Sequence, residues 1–169
     1  MIYKLLRIFF ILVLVAFSIT VLYAPVHEFG HLSVGMLFGA QGAEVVWTIY
    51  SGQNPYVSFT YCPVGVIPWM KAAGIVFPTI LGLILLGFWL ALGKKISWYL
   101  RALLVIPGLI LLLGNFSQVC EISRDKGHMR MLALHLGLTG IGAVIFTLLP
   151  VMITLLAIAI IWYRANKKS

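Results

Sequence analysis

Acidic side chains are nearly missing from this chain. Its 169 residues include three glutamates and one aspartate against twelve lysines and arginines, a formal net charge of +8. Charged residues of both signs amount to 9%, where a soluble domain carries roughly a quarter. Apolar residues make up 62% and the mean hydropathy is +1.08, so a water-soluble globular domain is excluded and an integral membrane protein is expected. Cysteine is equally scarce. Cys62 and Cys120 cannot build a disulfide framework and form no C-x-x-C knuckle, and they read as two small buried thiols. Linkers, low-complexity tracts and internal repeats are lacking too. One membrane domain over residues 1–169 is expected, and the lack of repeats and of a second set of intramembrane charges argues against a transporter.

The basic residues cluster at the ends of apolar runs: Lys4 and Arg7; Lys94, Lys95 and Arg101; Arg164, Lys167 and Lys168. That placement suits lipid headgroups and the positive-inside rule, so nucleic acid is rejected as a partner and the lipid bilayer is expected instead. The hydropathy pattern predicts about four transmembrane helices, over about 5–39, 72–92, 96–114 and 131–163. The last is long enough to be tilted, kinked at Pro150 or partly outside the bilayer. Lys4 and Arg7 ahead of an apolar run resemble a signal peptide, but no A-x-A-like site follows, and an uncleaved span is expected. Pro25 stands where a helix can restart, because proline is tolerated in a first turn.

What the chain does hold is concentrated. Three of its eight acids and histidines fall in His27-Glu28-Phe29-Gly30-His31, at the end of the first apolar run. On a helix His27 and His31 lie one turn apart on one face, so both imidazoles can reach one metal ion. Glu28 lies beside them, placed to act on a water at the metal rather than to ligate. The H-E-x-x-H spacing is that of a zinc hydrolase. The alternative is a pair of interfacial histidines with a solvated glutamate, disfavoured because ionisable groups next to lipid are costly and kept for function. Continuing four residues at a time, the row reaches Gly35 and Gly39, which would let a neighbouring helix pack beside the metal.

Residues 44–50 and 56–61 are rich in β-branched and aromatic side chains and flank a turn-forming Ser-Gly-Gln-Asn-Pro cluster, predicting a β-hairpin over about 44–61. Val57, Phe59 and Tyr61 share one face of its second strand. The free edge is suited to take up an extended peptide, although an amphipathic interfacial loop explains the same residues. The expected fold class is therefore an all-α polytopic membrane protein with a small β-hairpin after the first span.

A catalytic zinc needs three protein ligands and an open position. Beyond the motif the carboxylates are Glu44, Glu121 and Asp125 and the histidines His128 and His135. Alternation of spans brings the loop after the third span to the side reached by the motif. Asp125 is the expected third ligand, with Glu121 and His128 as alternatives. Glu44 heads the hairpin, and His135 reads as a helix-facing polar residue. Asn115 and Gln118 are polar groups suited to binding freed substrate backbone, alongside Val57 and Phe59 of the hairpin.

These features together resemble the site-2 protease family of intramembrane zinc metalloproteases, in compact form. The resemblance rests on His27-Glu28-Phe29-Gly30-His31, on the hairpin, on Ala73-Gly74-Ile75-Val76-Phe77-Pro78 as a small-residue opening of a second core helix, and on Asp125-Lys126-Gly127-His128 after Asn115. It covers about residues 8–130. It implies Zn2+ held by His27, His31 and Asp125, with Glu28 as general base, and cleavage of a single-span helix from a membrane protein. A multi-pass protein of the cell membrane is expected, with substrate choice resting on the hairpin, the spans, a homo-oligomer or a regulatory membrane partner. The charge distribution, eight basic residues on the N-terminal side against four on the motif side, places the motif toward the exterior, whereas the resemblance implies the cytoplasmic side. Two other readings remain: a pseudoprotease or membrane-complex subunit keeping the fold, and a small transporter component.

Overall fold

The computed structural model describes residues 2–46, 55–121 and 127–166. Four helical stretches among them are long and apolar enough to cross a membrane: Ile2–Leu37, Val64–Leu92, Trp98–Cys120 and Gly140–Arg164. The protein is a multi-pass, mostly helical membrane protein with one small two-stranded sheet after its first span.

The first span comprises α1 (Ile2–Phe17), a π-helical segment (Ser18–Tyr23) and α2 (Ala24–Leu37). Pro25 explains the segment. It has no N–H to donate four residues back and its ring crowds that carbonyl, so the helix widens instead of breaking. Ser18 Oγ donates to the Leu14 carbonyl at 2.7 Å and Thr20 Oγ1 to Ala16 at 2.8 Å, the usual side-chain help at such a site within a bilayer. The 36 residues extend about 54 Å, well beyond the ~30 Å hydrocarbon core. α2 ends two residues before the expected limit. Gly39 takes φ +91° and the Ala40 and Gly39 N–H groups donate back to Gly35 and Met36, a Schellman close.

β1 (Glu44–Val46) and β2 (Tyr56–Ser58) pair antiparallel with Glu44 opposite Ser58 and Val45 opposite Val57, extended by a bridge between Gln41 and Tyr61. The expected turn lies mostly outside the described residues. The expected small-residue contact is redistributed. A Cβ on Gly35 would come 2.5 Å from the Phe59 ring, so that glycine seats the hairpin on α2 rather than a helix. Gly39 touches nothing.

The second membrane helix, α3 (Ile67–Leu92), runs through the centre of the molecule and packs on α2, on α4 (Trp98–Leu113) and on α6 (His128–His135). It begins five residues earlier than expected, with Pro68 in its first turn. Glycines set its crossings: a Cβ on Gly30 would strike the Ala73 carbonyl, and one on Gly82 would come 2.9 Å from the Gly108 carbonyl of α4. A short 3₁₀ turn leads from α4 into α5 (Ser117–Glu121).

The last expected span divides in two. Gly137 (φ +77°) closes α6 with a second Schellman arrangement, in which Leu138 and Gly137 donate to Ala133 and Leu134. α7 (Gly140–Asn166) then crosses alone with Pro150 inside it. The thiols are not both buried: Cys120 is exposed and Cys62 half-buried, because each stands near the end of an element rather than in the packed interior.

Candidate metal centre

The centre is built where α2, α3 and α6 meet. His27 and His31 project from one face of α2, and His128 is the first residue of α6. One ligand nitrogen from each lies within 4.8 Å of the other two. The three rings face one another, with centroids 4.6 Å apart for His27 and His31, 5.2 Å for His27 and His128 and 5.5 Å for His31 and His128.

Two features of α3 orient the pair on α2. His31 Nδ1 lies 2.7 Å from the Met70 carbonyl oxygen, which can only accept, so Nδ1 carries the hydrogen and Nε2 keeps its lone pair. One turn further along α3, the backbone of Gly74 faces His27, whose buried Nδ1 closes no hydrogen bond. Gly74 leaves room for both imidazoles: a Cβ there would come 2.6 Å from His31 Nε2 and 2.9 Å from His27 Cε1.

The donor set fits zinc. His27 and His31 Nε2 are 3.0 Å apart, and two nitrogens on a tetrahedral zinc, each ~2.0–2.1 Å from the ion, stand about 3.3 Å apart. Lone pairs so placed repel unless a proton or a cation lies between them. His128 completes the set when its nitrogen, within 4.8 Å of the other two, closes to the ~3.3 Å separation of ligands on tetrahedral zinc.

His128 is held by its surroundings. Gln118, fully buried, accepts the Met129 N–H on Oε1 at 3.3 Å and so satisfies an open donor in the first turn of α6. This makes Gln118 a support for the histidine helix. Asn115, also fully buried, has both amide hydrogens engaged, with the Pro150 carbonyl at 3.3 Å and Thr154 Oγ1 at 3.0 Å, and accepts from Thr79 Oγ1 at 3.1 Å. It joins α3, α7 and the turn after α4.

Glu28 is 7% exposed and stands outside the histidine triangle. A backbone hydrogen bond from Val57 of β2 reaches its carboxylate. The same residue lines a cleft of about 780 Å³ between α2 and α3 whose other walls, including Phe29, Leu32, Phe77 and Ile80, are apolar. Val57 therefore meets the motif through its backbone, while Phe59 packs on Gly35.

Asp125 lies outside the described residues, and for Glu121 the backbone alone is described. Glu44 is exposed on β1, and His135 packs edge-on to Trp69 at the far end of α6. Gly74 falls in the small-residue opening noted in the sequence, whereas Met70 and the supporting role of Gln118 were not signalled, because each acts across elements far apart in the chain. Comparison with family models, with curated proteins and with solved structures returns no match.

Proposed function

We propose that this chain is a zinc-dependent intramembrane endopeptidase, working as the site-2 proteases it resembles do, on a single-span helix of another protein in the cell membrane. The observation that carries this reading is the convergence of His27, His31 and His128 from two separate helices beside the buried carboxylate of Glu28. His27, His31 and His128 would hold the zinc, which when bound would supply an acidic water for attack at neutral pH and a Lewis acid for the scissile carbonyl. His128 takes the third position in this reading, in place of the Asp125 expected from the sequence.

Glu28 removes the proton from the attacking water and returns it to the leaving amine. Its position supports the role: it is one residue from a ligand, outside the ligand triangle, and oriented by the Val57 amide. The apolar cleft opens beside it, suited to the side chains of a membrane helix unwound at the bond to be cut. The edge of β2 offers backbone groups to the unwound stretch.

The test uses the full-length protein in zinc-loaded proteoliposomes with a fluorogenic single-span peptide carrying a helix-weakening Asn-Gly step. Wild type should cleave it and Glu28→Gln should not, with equal zinc in both. Equal activity in the two proteins would rule this mechanism out. Zinc binding without cleavage by either would favour a non-proteolytic subunit.

A further inference from the structure

At the end of the molecule away from the histidines, one arginine lies over an indole and a second lines the crevice beside it. The Arg7 guanidinium of α1 lies over the Trp98 ring, 5.2 Å from its centroid. Arg101 follows Trp98 by three residues on α4 and so shares its face. Both Trp98 and Arg101 line a crevice of about 250 Å³ whose other walls include Ile11, Trp89 and Val105. Arg101 Nε is buried without a hydrogen-bond partner.

A buried guanidinium nitrogen lacking an acceptor is unfavourable. Nothing among the described residues offsets this. The carboxylates whose side chains are described belong to Glu28 and Glu44. Glu28 stands twenty-one residues from Arg7 along one continuous helical span, about 30 Å away. The Ser97 hydroxyl is occupied in accepting the Leu100 N–H. Exposed Lys4 and Lys95 add positive charge at the same end.

Among the described residues nothing supplies the acceptor, and a group that does so must approach from the bilayer, carry negative charge and reach an apolar crevice at the start of a membrane span. A lipid phosphodiester does all three. We propose that this crevice binds one anionic glycerophospholipid, its phosphate on Arg7 and Arg101 and an acyl chain along Ile11, Trp89 and Val105. Arg supplies planar, bidentate donors suited to phosphate, and the indole fixes the Arg7 guanidinium. A zwitterionic lipid offers the same phosphate but brings an ammonium into a cationic cluster, so the site selects a net negative headgroup. The lipid ties α1 to α4, independently of any chemistry at the histidines.

Native mass spectrometry of the full-length protein in mild detergent tests this, with phosphatidylglycerol and phosphatidylcholine of matched chains. One phosphatidylglycerol should be retained per chain, roughly tenfold more tightly than phosphatidylcholine, whose ammonium is repelled by the cationic cluster. Arg101→Gln should abolish the preference and exposed Arg7→Gln should weaken it, while Arg164→Gln at the end of α7 should leave it intact. Equal retention of the two lipids, or an equal loss in Arg164→Gln, would overturn the proposal, since either means a diffuse charge effect. Displacement by equimolar inorganic phosphate would also overturn it, because the acyl chain would then contribute nothing.

Discussion

His31 of α2 donates its Nδ1 hydrogen to the Met70 carbonyl of α3 across 2.7 Å, and one turn away His27 faces the backbone of Gly74. The two helices therefore run antiparallel with matched one-turn spacings, each imidazole set against a carbonyl-bearing position of the neighbour. Such outer partners fix the tautomer and raise the basicity of the ligating nitrogen. The Met70 carbonyl also accepts within the ladder of α3, as that of any helical residue does. Gly74 differs, because the residue four positions on is Pro78, which has no N–H to give it. Proline thus leaves a carbonyl without its helical donor next to a buried histidine nitrogen that lacks an acceptor.

Pro78→Ala should consequently weaken zinc binding although it regularises the helix. The substitution restores an N–H at position 78, which would share the Gly74 carbonyl and weaken it as the acceptor open to His27 Nδ1. Loss of an outer-shell acceptor typically costs 10–100-fold in metal affinity, and a shared acceptor should give a drop at the lower end, about tenfold, in competition with a zinc-selective dye. Pro107→Ala in α4, another proline inside a helix, is the control and should bind zinc as wild type does. Equal affinity in all three proteins would remove Gly74 from the metal centre.

The third ligand is decided by metal content. Zinc per chain, measured on purified protein after dialysis, should be close to one in wild type and in Asp125→Ala, and strongly reduced in His128→Ala. His128 is already within 4.8 Å of both other donors and its helix is fastened by Gln118. The reverse pattern, with zinc lost only from Asp125→Ala, would return the third position to the aspartate.

The number of spans was legible because hydropathy over twenty residues is a strong signal, and the motif because a one-turn histidine spacing has a direct geometric meaning. Helix limits were less so. Lys71 reads as a boundary, yet α3 begins at Ile67, since a long cationic side chain near a span end can reach the interface without interrupting the helix. Gly137 resembles the other small residues of a membrane helix until its left-handed φ is seen. Asn115 is the clearest case of information missing from the sequence. Its polarity suggested a role toward substrate, while its partners Thr79 and Thr154 are 36 and 39 residues away and nothing local points to them.

Gly30, inside the motif, is the contact on which the matched spacing of α2 and α3 depends. Gly30→Ala would drive a methyl group into the Ala73 carbonyl and within 3.2 Å of the Gly74 nitrogen, both backbone atoms that cannot turn aside. Overpacking of this kind costs about 1–3 kcal/mol. The helices should separate, pulling His31 from Met70, so both the thermal midpoint in detergent and the zinc content should fall. Gly87→Ala, with open space around it on α3, should change neither.

Asn115→Leu separates a structural role from a substrate role at that position. The substitution leaves the Thr79 hydroxyl its Ile75 carbonyl at 2.7 Å, and the one Thr154 hydroxyl hydrogen either the Leu112 or the Pro150 carbonyl, at 3.0 and 2.9 Å. What is lost is the tie between α3 and α7, plus the room needed for a branched side chain in a fully buried site. Hydrogen bonds between membrane helices average about 0.6 kcal/mol with a maximum near 1.7, and the shape mismatch adds a comparable amount. A loss of about 1–2 kcal/mol should therefore appear in thermal or denaturant unfolding, with zinc content unchanged because no metal-facing residue bonds to Asn115. Asn115→Asp, which keeps the shape and the acceptor but loses the two amide donors, should be at least as destabilising, since it faces the Pro150 carbonyl with an oxygen. If both variants unfold as wild type does and only peptide cleavage suffers, Asn115 acts on substrate and the bonds to Thr79 and Thr154 contribute little.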